Sequence, residues 1–286
     1  HEMEKYVQLA LTHAKVTMTD TYIDTPGRED GQWDEDLRPR AQVSERWFGD
    51  SRLRRLMIRT HAESQTDEGN FHPFAPSNYP FRSAPFDWSV QWAATLYDEY
   101  MWTGDREFVK THFQSLKRFW RGLLNHIDDN GLLATSFMFG DIRVTADMDT
   151  YYASGMVTPS IIQRLEWSVT LANVVGDTEA AHTWREAAKT LRSSYRKYFV
   201  VSGDECSPPI DSAALITDIV RHQPRSENGR ENGISPHPAY VDNAHPRGIS
   251  QASHTFALQI GLLSDQEARD AIDVVFPDPV GSPPPG

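Results

Sequence analysis

The sequence predicts an all-α fold, a ring of helix hairpins, on three observations. Apolar residues recur at helical spacing over long stretches. The pair Gly-Asp recurs between such stretches, where glycine suits the left-handed position after one helix and aspartate the N-cap of the next. No comparable series of alternating apolar and polar residues marks out strands. Successive hairpins joined by long irregular loops make a toroid of paired helices, here of about nine or ten helices.

In chain order, a first amphipathic segment is followed by a loop from Thr19 to Glu35. The second segment ends at Gly49-Asp50, and a third leads into a loop from Thr66 to Phe86. Gly104-Asp105 joins the next pair, and a loop from Asn130 to Thr158 follows it. Ile161, Ile162, Leu165, Val169 and Ala172 then form one helical face, and Gly176-Asp177 turns the chain. Trp184, Ala188, Leu191, Tyr195 and Tyr198 form the face of the returning helix. After a loop from Val200 to Ser250, the hinge Leu263-Ser264-Asp265-Gln266-Glu267 carries a Ser-x-x-Glu capping box. The chain opens on His1 and closes on the Pro-rich stretch from Phe276 to Gly286, as a segment of a longer protein would.

Composition narrows the partners. The 286 residues hold 28 Lys and Arg against 40 Asp and Glu, a net charge of −12 that repels phosphate backbones and anionic lipid. Nucleic acid and membrane are therefore not expected as partners, and no run of about eighteen apolar residues would cross a bilayer. Eight tryptophans leave aromatics to spare beyond a core. Cys206 is the only cysteine and stands in a Pro-rich loop with nothing to mark it as a nucleophile. His237 and His245 precede prolines and lack a third ligand at metal spacing, so no metal is expected. No phosphate-binding loop or dinucleotide fingerprint occurs, and no cofactor is expected.

The densest polar stretch is Asp24-Thr25-Pro26-Gly27-Arg28-Glu29-Asp30-Gly31-Gln32-Trp33-Asp34-Glu35-Asp36. Pro26, Gly27 and Gly31 forbid a continuous helix there, so its carboxylates can converge on a cavity instead of fanning around a cylinder. Glycoside hydrolysis needs a carboxylic acid with a raised pKa, a second carboxylate, and groups that hold sugar hydroxyls. The stretch has that inventory, although a solvated acidic loop with Asp36 as an N-cap has it too.

The stretch resembles the signature of bacterial α-L-rhamnosidases, glycoside hydrolase family 78, which runs roughly Asp-x-Pro-x-Arg-Glu-x-Gly-Gln-Trp-x-x-Asp. Asp24, Pro26, Arg28, Glu29, Gly31, Gln32, Trp33 and Asp36 match it, eight positions within thirteen residues. Glu63-Ser64-Gln65, Phe86-Asp87-Trp88, Tyr97-Asp98-Glu99-Tyr100 and Thr103-Gly104-Asp105 follow in the family's order. The resemblance implies an (α/α)6 toroid, of which this chain would hold about five of six hairpins as one domain. It implies inverting hydrolysis of terminal α-L-rhamnosides, with a rhamnose-bearing glycoside or oligosaccharide as the partner. Glu29 would be the general acid, and Asp24, Arg28, Asp36 and Asp141 would line the sugar. Trp33 and Trp88 would be apolar walls that desolvate Glu29 and raise its pKa.

Three departures bear on that reading. The family's general base lies in a later hairpin, beyond residue 286, with Asp147 or Asp149 as candidates to replace it within the chain. Ile142 stands where the family carries a tryptophan, which bears on sugar specificity. Asp30 stands where the family is more often neutral or basic. Two other functions stay open: a carbohydrate-binding toroid without catalysis, and an inverting hydrolase of another neutral or deoxy sugar. Asp87 could equally be a helix N-cap with Trp88 behind it, and Trp92 and Trp102 read as core.

Overall fold

The structure, a computed structural model, describes residues 2–77, 86–133, 157–199, 257 and 259–269. Asp141, Ile142, Asp147, Asp149, Cys206, His237 and His245 lie outside the described residues. Seven helices dominate the described residues: α1 (Glu2–Val16), α2 (Asp34–Phe48), α3 (Arg52–Glu63), α4 (Phe86–Thr103), α5 (Arg106–Leu124), α6 (Val157–Val175) and α7 (Thr178–Phe199). A helical turn over 265–269 follows. Extended pairing among the described residues is confined to the single bridges Met18–Tyr22, Trp33–Phe74 and Ile127–Leu133.

α2, α4 and α6 stand next to one another in an inner row. α3 packs against α2 and α4, α5 against α4 and α6, and α7 against α6. Burial distinguishes the rows. α4 buries Val90, Trp92, Ala93, Ala94 and Leu96 together with Ser89, Gln91, Thr95 and Glu99, so almost every face is covered. α5 instead buries Val109, His112, Phe113, Leu116, Phe119, Trp120 and Leu123, the single stripe of an outer helix. The result is an arc of an all-α toroid of helix hairpins, with inner helices too evenly buried to advertise one apolar face.

The hinges set this geometry. Gly49, Gly104 and Gly176 have φ of 64°, 67° and 87°, the left-handed turn that glycine takes without a Cβ penalty. Asp105 caps α5 by accepting from Phe108 N–H at 3.0 Å, and Asp177 accepts from Ala180 N–H at 2.9 Å. The first hinge departs from this pattern. Ser51 is the N-cap of α3 and makes no side-chain cap bond, while Asp50 accepts from Arg52 N–H at 2.9 Å. The capping box holds at the last hinge: Ser264 N–H donates to Glu267 at 2.7 Å and Glu267 N–H to Ser264 Oγ at 3.4 Å.

Aromatic side chains lock the rows together. Trp92 is fully buried and donates from Nε1 to the Ile58 carbonyl at 2.9 Å, tying α4 to α3. Trp120 donates to Ser168 Oγ at 2.8 Å, tying α5 to α6. Phe71, from the loop after α3, lies with its centroid 4.6 Å from that of Trp92 and 5.4 Å from that of Phe119. Trp102, read as core from its spacing, is 50% exposed, because α4 ends at Thr103 and its last turn projects past the packed rows.

That loop also passes close to α5. A Cβ at Gly122 would collide with the Glu68 carbonyl oxygen, a backbone atom that cannot swing aside. Gly122→Ala should therefore destabilise the fold by about 1–3 kcal/mol, the usual cost of overpacking. Chemical denaturation reads it as a lower midpoint; an unchanged midpoint would show that the loop yields.

Candidate active site

The acidic stretch is pinned at both ends. Tyr22, fully buried, packs with Ala41 and Met57, and Ile23 N–H donates to the Thr17 carbonyl at 3.0 Å. At the other end Gln32 Nε2 donates to the Ala75 carbonyl and to Thr60 Oγ1 at 3.1 Å. Between these anchors the chain folds back on itself. Asp24 N–H donates to the Gly31 carbonyl at 3.0 Å, and Gly31 N–H returns a bond to Asp24 Oδ1 at 2.9 Å. Asp30 takes φ of 50° at the reversal, and its carboxylate accepts from Gly27 N–H at 2.8 Å. Asp30 is thus spent on the turn, facing solvent.

The fold-back places Glu29 against Asp24. The two carboxyls share a hydrogen bond, in which Glu29 donates and Asp24 accepts. That bond is the first cause of a raised pKa at Glu29, ahead of burial and the Asp24 charge, while Arg28 pulls the other way from 2.9 Å. Burial alone would push Asp24 up, but N–H groups of Thr25 and Gly31, the Thr25 hydroxyl and Glu29 hold it below its ordinary value. The cause differs from the expected one: the Glu29 side chain is 37% exposed, so its proton is held by a neighbouring carboxylate more than by apolar walls.

α2 begins at Asp34, with Trp33 as its N-cap residue, so Asp36 sits within the first turn and is not the cap. Its pKa is raised by partial desolvation and by the Asp24 charge, against the pull of Arg40. Arg40, one turn further along α2, donates to the Asp24 carbonyl at 3.2 Å. Asp24, Arg28, Glu29 and Asp36 therefore meet in one cluster, to which the structure adds Arg40. Its signal was present in the sequence, since residues four apart share a helix face.

Trp33 and Trp88 are half-buried and meet edge to face, centroids 5.5 Å apart and planes at 89°. Phe74 closes the corner 4.5 Å from Trp33. Gly31 lies so close beneath Trp33 that a Cβ would come within 2.6 Å of its indole nitrogen. The aromatic corner and the carboxyl cluster are joined through only two residues of chain.

Behind the corner lie acids that sequence reasoning passed over. Asp34 is fully buried, and Glu35 is pushed up to about 7 by burial and then by the Asp87 charge. Gln91 Nε2 donates to Glu35 at 3.4 Å, and Arg164 Nη2 donates to the Gln91 amide oxygen at 3.4 Å. Glu35, Gln91 and Arg164 come from α2, α4 and α6, so this bridge spans the inner row. Nothing local in the sequence signals such a bridge.

The sequence family described as bacterial alpha-L-rhamnosidase 6 hairpin glycosidase domain matches residues 1–276. No curated protein sequence matches the chain. Among solved structures, a glycoside hydrolase family 78 rhamnosidase of Bacillus sp. GL1 superposes with a TM-score of 0.71 at 18% identity, over 93% of this chain and 25% of that one. A Klebsiella oxytoca rhamnosidase with rhamnose bound gives 0.58 at 18% identity, over 91% and 52%. A Streptomyces avermitilis α-L-rhamnosidase complexed with L-rhamnose gives 0.58 at 17% identity, over 93% and 22%. At these identities the likeness is one of fold. The chain spans between about a fifth and a half of the lengths of these three proteins.

Proposed function

Because the chain belongs to the bacterial α-L-rhamnosidase six-hairpin glycosidase family, we propose that it is the catalytic domain of a glycoside hydrolase that removes terminal α-L-rhamnose with inversion. The observation that carries the proposal is the hydrogen-bonded pair Glu29–Asp24 beside the Trp33–Trp88 corner. A general acid must hold its proton until the leaving oxygen arrives, and the pair gives Glu29 that property. Once the proton has gone, the Arg28 guanidinium, 2.9 Å away, faces the new carboxylate charge. Asp24 and Asp36 accept from sugar hydroxyls, and Trp33 and Trp88 offer apolar edges to a 6-deoxy sugar whose C6 is a methyl group. A base about 6.5–9.5 Å from the acid, supplied by the longer protein, activates water on the far face of the ring.

A panel of aryl glycosides offered to the full-length protein tests the proposal. Release from the α-L-rhamnoside and from no other supports it. Release from a different sugar keeps the reaction and changes the specificity. Quenching of tryptophan emission by rhamnose without release from any glycoside would make the toroid a binding module.

The pair also fixes a pH dependence. Glu29 is raised chiefly by Asp24, so activity should be present below the raised value and fall as pH climbs through it. Asp24→Asn removes the acceptor charge, lowers the Glu29 pKa, and should move the alkaline limb of kcat to lower pH. A limb that stays in place would show that another group sets it.

A further inference from the structure

We propose that Glu35 is a positioning residue, holding Trp33 against Trp88 through a bridge that runs from α2 to α4 to α6. The inference deepens the sugar-site reading and rests on it only for its consequence on binding. Trp33 and Glu35 flank Asp34 at the start of α2, and Asp87 and Trp88 are adjacent at the start of α4. Any force between Glu35 and Asp87 therefore acts on the two helix ends that present the two indoles. At these ends the edge-to-face contact at 5.5 Å and the Glu35–Gln91–Arg164 bridge, with both links at 3.4 Å, resist separation, and further along Arg38 and Gln42 tie α2 to Asp98 of α4. The second oxygen of Glu35, Oε2, is buried and has no hydrogen-bond partner among the described residues.

The groups around Glu35 have opposing signs. Asp87 on α4 and Asp36 on its own helix repel a charge there, Asp34 sits beside it, and Arg164 on α6 attracts one. Arg164 is itself buried and lowered to about 10 by burial and by Arg38, which is paired with Asp98 at 2.9 Å. Burial and Asp87 outweigh the attraction, and Glu35 keeps its proton up to about pH 7. Below that the neutral acid lets the two helix ends sit together. Above it the Glu35 carboxylate faces the Asp87 charge in one buried corner, beside Asp34, whose pKa burial holds well above its ordinary value, and the α2 and α4 ends are pushed apart. The sign follows: the raised carboxyl favours the closed corner fully below its ordinary value of 4.5, and that advantage is lost as pH rises through about 7.

Perpendicular indoles in contact give a near-ultraviolet circular dichroism signal that reads the corner without any substrate. The full-length parent, titrated from about pH 5 to about pH 9, should show a single-proton change with a midpoint near 7. Trp88→Phe should remove most of its amplitude. In Glu35→Gln the change should vanish and the low-pH signal persist throughout. Asp87→Asn should lower the midpoint by about one unit. A titration that survives unchanged in Glu35→Gln overturns the proposal. If that variant loses its far-ultraviolet helix signal, Asp87→Asn decides: a lowered midpoint supports the bridge, and an unmoved one overturns it. Where an α-L-rhamnoside is hydrolysed, KM in the parent should rise above the midpoint and stay flat in Glu35→Gln. An optical titration that behaves as stated, with no rhamnoside bound or cleaved, retains the positioning role and rejects the rhamnosidase reading instead.

Discussion

Glu29→Gln is expected to lower kcat on an alkyl α-L-rhamnoside by about two to four decades, the usual contribution of a positioned general acid. The carboxamide still donates to Asp24, so the fold-back from Asp24 to Gly31 keeps its shape and only the transferable proton is gone. Thermal stability should therefore be unchanged, and kcat and kcat/KM should fall together, as they do when an interaction made only in the transition state is removed. A nitrophenyl rhamnoside, whose leaving oxygen needs little protonation, should lose much less. Steady-state rates on the two substrates check this. Equal losses on both would mean that Glu29 does something other than protonate the leaving group.

Glu99→Ala should cost about 3–5 kcal/mol of folding stability, the range for stripping one partner from a buried ion pair. Arg54 and Glu99 are fully buried, and Glu99 accepts from Arg54 Nε at 2.8 Å and from Arg55 Nε at 2.6 Å. Arg54 also reaches Glu45 on α2, and Arg55 reaches the Asp105 cap at 2.9 Å. One carboxylate on α4 thus joins α2, α3 and the hinge before α5. Its removal leaves the Arg54 guanidinium desolvated, with Glu45 and the Asp98 charge to answer it. Glu99→Gln keeps an acceptor and should cost less. Urea denaturation orders the three proteins; a Glu99→Ala midpoint equal to the parent's would mean that water enters and solvates Arg54.

The hairpin order was legible because its signals are local. A left-handed glycine followed by a capping aspartate, or a Ser-x-x-Glu box, acts within one turn of helix, and the structure places a reversal at Gly49, Gly104 and Gly176 and a closed capping box at Ser264. The assignment of α2, α4 and α6 to an inner row was not legible. α4 and α6 are covered on nearly all sides, and an evenly buried helix carries little periodic contrast. Trp102 was misjudged for a related reason, since spacing cannot tell where the packed length of a helix ends. Asp24, Arg28, Glu29, Trp33 and Asp36 were readable as candidates because they share thirteen residues of chain. The cause of the raised Glu29 pKa was not, for it depends on the clasp between Asp24 and Gly31 and the left-handed Asp30. Glu35 and Gln91 are 56 residues apart, and Gln91 and Arg164 are 73 apart, so only the packing of three helices reveals their bridge.

The anomer that leaves the site reports the mechanism most directly. Proton NMR of the full-length protein acting on an aryl α-L-rhamnoside, recorded before the sugar equilibrates, follows both the release and its stereochemistry. The account predicts that β-L-rhamnose appears first, as water attacks the face opposite the departing group. First release of α-L-rhamnose, or no release under conditions where the protein binds the sugar, would contradict it.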